Sequence, residues 1–339
     1  MQKSGEFMKA AVVPKYGIKS PTLVSNWPRP VPGDNDLLIQ VKAVSINPID
    51  WKIMEGATKL LLPLKPPFVI GNDGAGIVSG VGKLVKQFKP GDEVYFRPRK
   101  DRVGTFAEYC LIREDEAALR PGKSTWEEAA GLPLVALTAW QALFDKAGLK
   151  AGQRVLIHAG SGGVGTIAIQ LAKNAGAHVI TTCGPSGIEL VKSLGADEII
   201  NYRDQKFDEI LKDIDVVFDT MGGQTMKKSF ALLKPGGVLV TVNGIPTPDV
   251  ADRYGKGFIL KTIFKIANNG NHSLARKAGG RFEYLLMEAN GAQLEKIAKL
   301  VDSGIVKPIV DKVYPFSKME EAFAYQMSGR AKGKVVLTI

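Results

Sequence analysis

The 339 residues, of which 45% are hydrophobic and 23% charged, have the composition of an ordinary globular protein of two domains. The only two cysteines, Cys110 and Cys183, lie far apart, which excludes a disulfide framework or a zinc lobe built from cysteines and predicts a reducing, cytoplasmic setting. No apolar run approaches the ~20 residues of a membrane span, and the net charge of +11 comes without a nucleic-acid-binding motif, so neither a membrane span nor a nucleic-acid partner is expected.

The N-terminal third of the chain is predicted to be rich in β-strands. Residues 1–7 lack the apolar core of a signal peptide and are interpreted as a leader or an extended start that lies outside the fold. From Lys9 onward, short apolar stretches are separated by Gly, Pro and Asp turns, which is typical of a small barrel-like β domain. The predicted strands are 9–13, 36–45, 76–81, 93–96 and 108–112.

The pattern changes near Trp126, where Ser124 or Thr125 is predicted to cap a helix. From Gln153 onward, nearly all-apolar strands alternate with helices, which predicts an α/β domain with a doubly wound parallel sheet. The predicted strands are 154–159, 178–183, 198–201, 215–219 and 238–242, and the predicted helices are 164–174, 188–194 and 224–233.

Residues 245–280 interrupt this alternation with Gly, Asn and basic residues, and are interpreted as a long mobile segment over a site. Beyond it we predict a strand at 282–287, a helix at 293–301, a helix at 320–326 that opens with a capping box at Ser317, and a closing strand at 334–339.

A glycine-rich turn follows the predicted strand 154–159 and opens the predicted helix after it. The motif G-x-G-x-x-G in this context is typical of dinucleotide-binding folds, because the glycines allow a tight turn, a close approach to the pyrophosphate and close packing of strand and helix. The N-terminus of the helix then offers free N–H groups to the phosphates. The residues predicted to bind the cofactor here are Gly160, Ser161, Gly162, Gly163, Val164 and Gly165.

The end of the next strand favours NADPH over NADH. An NAD site usually has Asp or Glu about 20 residues further on, which binds the ribose 2′-hydroxyl. Here the strand ends at Thr182 and Cys183, and the first acidic residue, Glu189, lies in the following helix. Thr182, Cys183 and Ser186 are therefore predicted to line a 2′-phosphate pocket, with a site that accepts either cofactor as the alternative.

The sequence resembles the zinc-independent quinone oxidoreductase and alkenal reductase branch of the medium-chain dehydrogenase/reductase superfamily. Besides the glycine turn, the matching stretches are SINPIDWK at 45–52, GNDGAG at 71–76, FKPGDEV at 88–94, GTFAEY at 104–109 and GRAKGK at 329–334. The resemblance implies a GroES-like catalytic domain at 8–127, a Rossmann NADP-binding domain at 128–288, and a segment at 289–339 that returns to the catalytic domain.

Further cofactor contacts are implied by this resemblance. Tyr202 matches a family tyrosine near the adenosine 2′-phosphate, with simple packing as the alternative, and Arg330 matches a basic residue that reaches the same phosphate. Ser186 departs from the family, since many relatives carry Lys or Arg there. The residues implied to face the nicotinamide are Thr138, Asn243 and Gly244.

Zinc-dependent relatives hold a metal with Cys and His, but Asn47 and Asn72 occupy those positions here and are poor zinc ligands. No metal site is therefore expected. Asn47 and Lys52 are predicted to line the reaction pocket, with ordinary turn chemistry as the alternative. Tyr254 is a candidate proton donor or lid residue, with a surface tyrosine as the alternative.

The hypothesis that follows is an NADPH-dependent reductase that transfers a hydride to an enone or a quinone without zinc. A non-enzymatic NADPH-binding protein and a zinc-free alcohol dehydrogenase are the alternatives. The expected partners are a small-molecule enone or quinone and a second copy of the chain, because relatives often pair through the edge of the parallel sheet.

Overall fold

The computed structural model describes residues 6–339, which form two compact units. The first unit contains the described residues up to Leu137 together with Glu288–Gly304 and Pro308–Ile339. The second contains Thr138–Met287 and Ile305–Lys307. The sequence places the end of the first domain after residue 127, whereas the boundary between the two compact units lies between Leu137 and Thr138. The short helix that begins at Trp126 packs on strands of the first unit and therefore belongs to it. Of the proposed leader, residues 1–5 lie outside the described part, and Phe7 already belongs to the first strand.

The first unit is built on strands that bury alternate or consecutive apolar residues. In chain order its first elements are β1 (Phe7–Val13), β2 (Thr22–Pro28), β3 (Asp36–Ile46), α1 (Pro48–Glu55), β4 (Phe68–Val69), β5 (Gly74–Val81), β6 (Glu93–Phe96), β7 (Tyr109–Arg113), β8 (Ala117–Leu119), α2 (Trp126–Ala130) and α3 (Pro133–Trp140). β2, β1 and β4 form one antiparallel sheet, and β3, β5, β6 and β8 belong to a second sheet in which β7 also pairs with β3. Leu37, Ile39, Phe96 and Phe106 lie in the shared core.

The second unit contains one six-stranded parallel sheet. Its elements are β9 (Arg154–Ile157), α4 (Gly163–Asn174), β10 (His178–Cys183), α5 (Ile188–Ser193), β11 (Glu198–Asn201), α6 (Phe207–Ile210), β12 (Ile214–Asp219), α7 (Gly223–Ser229), β13 (Leu233–Thr241), α8 (Pro248–Arg253), α9 (Gly257–Lys277) and β14 (Arg281–Tyr284). The strand order is β11-β10-β9-β12-β13-β14, which is the 3-2-1-4-5-6 order of the Rossmann fold. The predicted doubly wound α/β class is confirmed.

The prediction of a long mobile segment at 245–280 is wrong, because α8 and α9 occupy most of it. Leu260, Phe264 and Asn268 recur at intervals of four and are buried along one face of α9. The side-chain amide of Asn268 donates to the carbonyl oxygens of Ile245 (3.2 Å) and Pro246 (2.8 Å), which fastens the helix to the loop that precedes it. The glycine and asparagine content suggested a loop, but the buried face of α9 stabilises the helix.

The last part of the chain returns to the first unit. α10 (Gly291–Asp302), β15 (Val310–Pro315), α11 (Met319–Met327) and β16 (Lys334–Thr338) follow in order. β16 pairs antiparallel with β3, and Val335 lies opposite Ile46. This register brings Lys334 beside Asn47, although the two are far apart in sequence. Within residues 6–339, no helix combines the length and the apolar character needed to cross a membrane.

Candidate functional site

The glycine turn of the second unit leaves the N-terminus of α4 open. After β9, Ala159 adopts a left-handed conformation with φ of 54°, and the N–H of Gly162 donates to the carbonyl oxygen of Ala159 at 3.0 Å. α4 begins at Gly163, and no side chain caps it. The first N–H groups of α4 therefore have no acceptor within the helix, and the helix dipole favours an anion at this end. This arrangement fits the pyrophosphate of a dinucleotide.

Two glycines of the turn are required by packing. A Cβ on Gly160 would lie 2.0 Å from Oγ1 of Thr181, and a Cβ on Gly165 would lie 2.4 Å from the carbonyl oxygen of Ala159. Gly162 has more room, since its Cβ would lie 3.3 Å from that same oxygen. The first and third glycines thus let α4 approach β9, while the second stands at the open N-cap.

The loop after β10 and the tyrosine after β11 lie beside this turn. A Cβ on Gly187 would lie 2.7 Å from Cβ of Ser161, so the loop passes directly against the turn. The hydroxyl oxygen of Tyr202 would lie 3.1 Å from a Cβ on Gly184, which places the ring over the end of β10. Ser186 is exposed in the same loop. No carboxylate stands at the end of β10, because Glu189 lies in α5.

Thr182 and Cys183 are directed into the unit rather than towards solvent. Oγ1 of Thr182 accepts the N–H of Ala159 at 3.2 Å and contacts Nδ1 of His158 at 3.2 Å. Ser229 Oγ donates its proton to the carbonyl oxygen of Thr225, so it can only accept from Nε2 of His158, at 2.9 Å. The proton of the neutral imidazole is therefore on Nε2, and Nδ1 accepts from the hydroxyl of Thr182. The hydroxyl proton of Thr182 is therefore engaged internally. Burial raises the pKa of the Cys183 thiol, which stays neutral.

At the carboxyl ends of β12 and β13, Asn243 joins two loops. Its side-chain amide donates to the carbonyl oxygens of Thr220 (3.2 Å) and Met221 (3.3 Å). Gly244 follows with φ of 104°, a conformation that favours glycine. In open parallel sheets, ligands bind at the carboxyl ends of the strands, and these loops lie there.

Tyr254 ends α8, half-buried, and Thr138 is buried in the last part of α3. The predicted roles of both residues at the nicotinamide stay predictions.

In the first unit, Asn47 and Lys52 lie at the start of α1 rather than in a turn. Asn47 is the N-cap residue of α1, and Oδ2 of Asp50 accepts its N–H at 2.7 Å. Asp50 thus has a structural hydrogen-bonding role at the start of the helix, and Lys52 lies half-buried one turn along α1. The Asn-Pro pair signalled a turn, but Pro at the first helical position is compatible with a helix.

Asn47 belongs to a buried polar network with residues from four parts of the chain. Its Nδ2 donates to Oδ1 of Asp73 (3.1 Å) and to the carbonyl oxygen of Ser45 (3.0 Å), while its Oδ1 accepts from Nζ of Lys334. Both amide hydrogens of Asn47 are therefore used within the unit, so donation to a substrate would require one of these bonds to break. The catalytic role of Asn47 stays a prediction, and what the structure places here is a fixed amide.

The remainder of the network surrounds two carboxyl groups. Oδ1 of Asp73 also accepts from Ser45 Oγ at 2.9 Å, and Oδ1 of Asp50 accepts from Nδ2 of Asn72 at 2.6 Å. Nζ of Lys334 donates to the carbonyl oxygen of Ile46 at 3.2 Å. Asp50, Asp73 and Lys334 are buried, and among the described residues Oδ1 of Asn72 and Oδ2 of Asp73 are buried acceptors without a donor.

Burial disfavours the charged form of each titratable member of this network. It raises the pKa of Asp50 to about 7, against the opposing hydrogen bond from Asn72, and it raises the pKa of Asp73 against the charge of Lys334. It lowers the pKa of Lys334, and the two carboxylates oppose that shift. The ammonium of Lys334 therefore lies close to the carboxyl groups of Asp50 and Asp73, which do not both ionise easily.

This predicts a pH-dependent stability that disappears in Asp50→Asn. Because the folded state holds the Asp50 proton that the unfolded chain releases near its ordinary pKa of 3.8, the stabilisation is full below that value and is lost as the pH rises through about 7. A protonated Asp50 can also donate to the unpaired Oδ1 of Asn72 if that amide turns over. The free energy of unfolding of wild type minus that of Asp50→Asn, measured by urea unfolding, should be smaller at neutral than at acid pH by more than about 1 kcal/mol.

Asp101→Asn, at an exposed carboxylate of the same unit, is the matched control and should leave the pH dependence unchanged. A pH profile of Asp50→Asn that runs parallel to that of the wild type would contradict the assignment.

The donor set of this region does not suit zinc. Asn47 and Asn72 present amide groups, and within the described residues no group of three or more His, Cys, Asp and Glu side chains is arranged to hold a metal. Structural and catalytic zinc sites are built from thiolate, imidazole and carboxylate ligands.

Sequence reasoning missed Asp73 and Lys334 as members of this region. Lys334 is the one charged side chain of a strand whose next three residues are fully buried, and this was the available signal. Arg330 is exposed in the turn after α11, and its contact with a 2′-phosphate stays a prediction.

A Rossmann sheet with an open glycine turn, in one chain with a β unit whose strands are mostly antiparallel, defines a two-unit dinucleotide-binding fold. Two family models match the chain: the alcohol dehydrogenase GroES-like domain at residues 33–122 and the zinc-binding dehydrogenase at residues 194–337. Asn47 and Asn72, which the resemblance equates with zinc ligands, lie within the first of these matches and carry amides.

Relatives and solved structures extend this match over almost the whole chain. The human protein named NAD(P)H oxidoreductase RTN4IP1, mitochondrial, is 36% identical over 98% of this chain and 89% of its own length. The Arabidopsis thaliana NADPH-dependent alkenal/one oxidoreductase, chloroplastic, is 35% identical over 97% of this chain and 79% of its own length. The quinone oxidoreductase from Coxiella burnetii superposes with a TM-score of 0.85 at 32% identity, covering 98% of this chain and all of that one (100%).

The chain belongs to the medium-chain dehydrogenase/reductase superfamily, in its zinc-independent quinone oxidoreductase and alkenal reductase branch. Its two units correspond to the GroES-like and Rossmann folds of that superfamily.

Proposed function

We propose that this protein is an NADPH-dependent reductase that transfers a hydride to an α,β-unsaturated carbonyl compound or a quinone without zinc. The observation that carries the proposal is the open turn at Gly160–Gly165, beside a strand that ends without a carboxylate. The amides of Asn47 and Asn72 support a reaction without a Lewis acid. The printed names of the human and Arabidopsis relatives agree with a nicotinamide cofactor, and that of the Arabidopsis protein with an alkenal or alkenone acceptor.

Each part of the cofactor has proposed partners in this chain. The free N–H groups at the start of α4 hold the pyrophosphate. Ser186 and Tyr202 are proposed to contact the 2′-phosphate, which is supported by the contact of Tyr202 with Gly184 in the loop that carries Ser186. Thr182 and Cys183 are buried at the end of β10. Arg330 supplies positive charge to that phosphate. The nicotinamide is proposed to contact Thr138, Asn243 and Gly244.

The proposed chemistry asks little acid–base work of the protein. Bound NADPH supplies a hydride, which forms a C–H bond at the β-carbon of an enone while the C=C pair moves towards the carbonyl. Lys52 is proposed to stabilise the resulting enolate oxygen, and Tyr254 or water to protonate the α-carbon. With a quinone, the same hydride and one proton give the hydroquinone. Catalysis then rests mainly on holding the acceptor in line with the hydride.

NADPH oxidation with three acceptors tests this proposal. An enone and a quinone should be reduced, and a simple saturated aldehyde should react far more slowly. Turnover of the aldehyde alone, or of an alcohol with NADP⁺ alone, would favour the zinc-free alcohol dehydrogenase. NADPH binding measured by fluorescence without turnover of any acceptor would favour the non-enzymatic alternative.

Cofactor preference should respond to charge in the loop after β10. Because Ser186 is exposed beside Tyr202 and the glycine turn, Ser186→Asp is expected to raise KM for NADPH about tenfold through repulsion of the 2′-phosphate while KM for NADH stays nearly constant. Ser193→Asp, exposed at the end of α5, is the matched control and should change neither value. Equal effects of Ser186→Asp on both cofactors would contradict a 2′-phosphate site here.

Two further parts of the proposal concern assembly and location. A homodimer is proposed through β14, one of the two edge strands of the parallel sheet, because an edge strand can pair with a strand of another chain. Sedimentation equilibrium measures the oligomeric state directly. A cytoplasmic location is proposed from the two free, buried cysteines Cys110 and Cys183. Since the human relative is named mitochondrial and the Arabidopsis relative chloroplastic, recovery of the protein in an organelle fraction would overturn it.

A further inference from the structure

The outward face of α9 carries large apolar side chains in contact with solvent. Phe258 is 81% exposed, Ile259 78%, Ile266 71% and Ile263 50%. At 100° per residue these four lie on one side of the helix, opposite the side that buries Leu260, Phe264 and Asn268. Solvated apolar side chains occur singly on most surfaces, but four on two turns of one helix form a contiguous stripe, which is typical of an interaction site.

Positive charge borders this stripe, and negative charge is absent from the helix. The 21 residues of α9 include no Asp or Glu and four basic residues, Lys261, Lys265, Arg276 and Lys277. Lys265 is exposed beside the stripe, and Arg276 and Lys277 are exposed at the end of the helix.

The carboxylates of α8, the helix that precedes α9, have partners. Asp249 pairs with Arg253 at 3.1 Å, and Asp252 pairs with Lys261 at 2.7 Å. The exposed basic residues of α9 are then Lys265, Arg276 and Lys277.

We propose that the outward face of α9 docks on an anionic lipid surface. An amphipathic helix with aromatic and aliphatic residues on one side and lysines beside them lies in the plane of a membrane, with its apolar side about 5–10 Å into the headgroup region. Insertion of the stripe brings the lysines beside it close to the lipid phosphates, which they then contact. Docking of this kind needs no spanning helix.

Charge favours lipid over a second copy of this face. Two copies of α9 brought together would set Lys265, Arg276 and Lys277 of one copy against the same residues of the other, with no carboxylate of either helix between them. The net charge of +11 on each chain adds to this repulsion. An anionic bilayer satisfies the apolar stripe and the positive charge together. The proposal does not depend on which acceptor the enzyme reduces.

Sedimentation of the full-length protein with vesicles tests the proposal. Vesicles of equal parts phosphatidylcholine and phosphatidylglycerol should carry the protein down, and vesicles of phosphatidylcholine alone should bind it at least about tenfold more weakly. Phe258→Ser/Ile266→Ser should reduce binding to the anionic vesicles by about 100-fold, since each apolar side chain removed weakens insertion. Lys265→Glu should weaken it about tenfold through charge alone.

The matched controls are exposed residues of the same kind on the first unit. Val31→Ser/Leu60→Ser removes side chains that are 71% and 65% exposed, and Lys89→Glu reverses an exposed charge. Both should bind anionic vesicles like the wild type, and NADPH binding should be unchanged in every variant.

A label read by fluorescence keeps the proposal testable if a serine variant folds poorly. The natural cysteines are both buried, so Ile259→Cys can be labelled selectively with an environment-sensitive fluorophore. Its emission should shift to the blue on addition of anionic vesicles, and the same label at Leu60→Cys should not shift. The proposal is overturned if the wild type fails to bind anionic vesicles, if Phe258→Ser/Ile266→Ser binds them equally well, or if that variant converts a wild-type dimer to a monomer.

Discussion

Gly165→Ala is expected to reduce NADPH affinity by about 100-fold and to lower the free energy of unfolding by about 3 kcal/mol. The added methyl group would lie 2.4 Å from the carbonyl oxygen of Ala159 and 2.6 Å from Cα of Gly160. Both are backbone atoms, so no side-chain rotation relieves the contact, and α4 must move away from β9. That movement displaces the N–H groups that the pyrophosphate needs. Fluorescence titration with NADPH and urea unfolding measure the two effects.

The same substitution at Gly270 is the matched control, with an effect of opposite sign. Gly270 lies within α9, and nothing outside that helix comes within 4 Å of its added Cβ. Gly270→Ala should therefore stabilise the protein by up to about 1 kcal/mol, since alanine favours a helix, and should leave NADPH binding unchanged. If Gly165→Ala bound NADPH like the wild type, the turn would not be the cofactor site.

Lys334→Met is expected to destabilise the protein by about 3–5 kcal/mol, because it removes the cation that opposes the burial of both Asp50 and Asp73. Nζ of Lys334 donates to the carbonyl oxygen of Ile46 at 3.2 Å and to Oδ1 of Asn47, and its charge opposes the rise in the pKa of Asp73. Methionine has similar length and fills the space, so packing alone does not explain a loss of this size. Urea unfolding at neutral pH measures it.

Two further variants separate charge from packing. Lys332→Met, two residues earlier and half-exposed, should change the free energy of unfolding by less than about 0.5 kcal/mol. Asp73→Asn combined with Lys334→Met should be less destabilised than the sum of the single variants by at least about 1 kcal/mol, because the charge left unpaired is then absent. Strict additivity of the two substitutions would show that Lys334 does not stabilise Asp73.

Local patterns in the sequence account for most of the second unit. Apolar strands alternate with helices there. The glycines between β9 and α4 are also predictable, because their nearest neighbours lie in the turn itself, in α4 and in the adjacent strand β10. The sequence also shows that no acidic residue lies between the glycine turn and Glu189, because this concerns only the residues at the end of β10. Local propensity and burial disagree in α9. The sequence predicted a mobile segment there, but the segment is a helix, which is stabilised by the burial of Leu260 and Phe264.

The sequence by itself determined the α/β class and the place of the glycine turn, since each follows from a residue type or a short spacing, and the family resemblance supplied the replacement of zinc ligands by Asn47 and Asn72. Only the tertiary structure decided that Lys334 holds Asn47, because this contact joins residues separated by 287 positions and arises from the pairing of β16 with β3. The same holds for the inward hydrogen bonds of Thr182 and for the solvated stripe on α9. The physical reason is that burial and hydrogen-bond partners depend on which strands and helices meet, and no local spacing encodes that meeting.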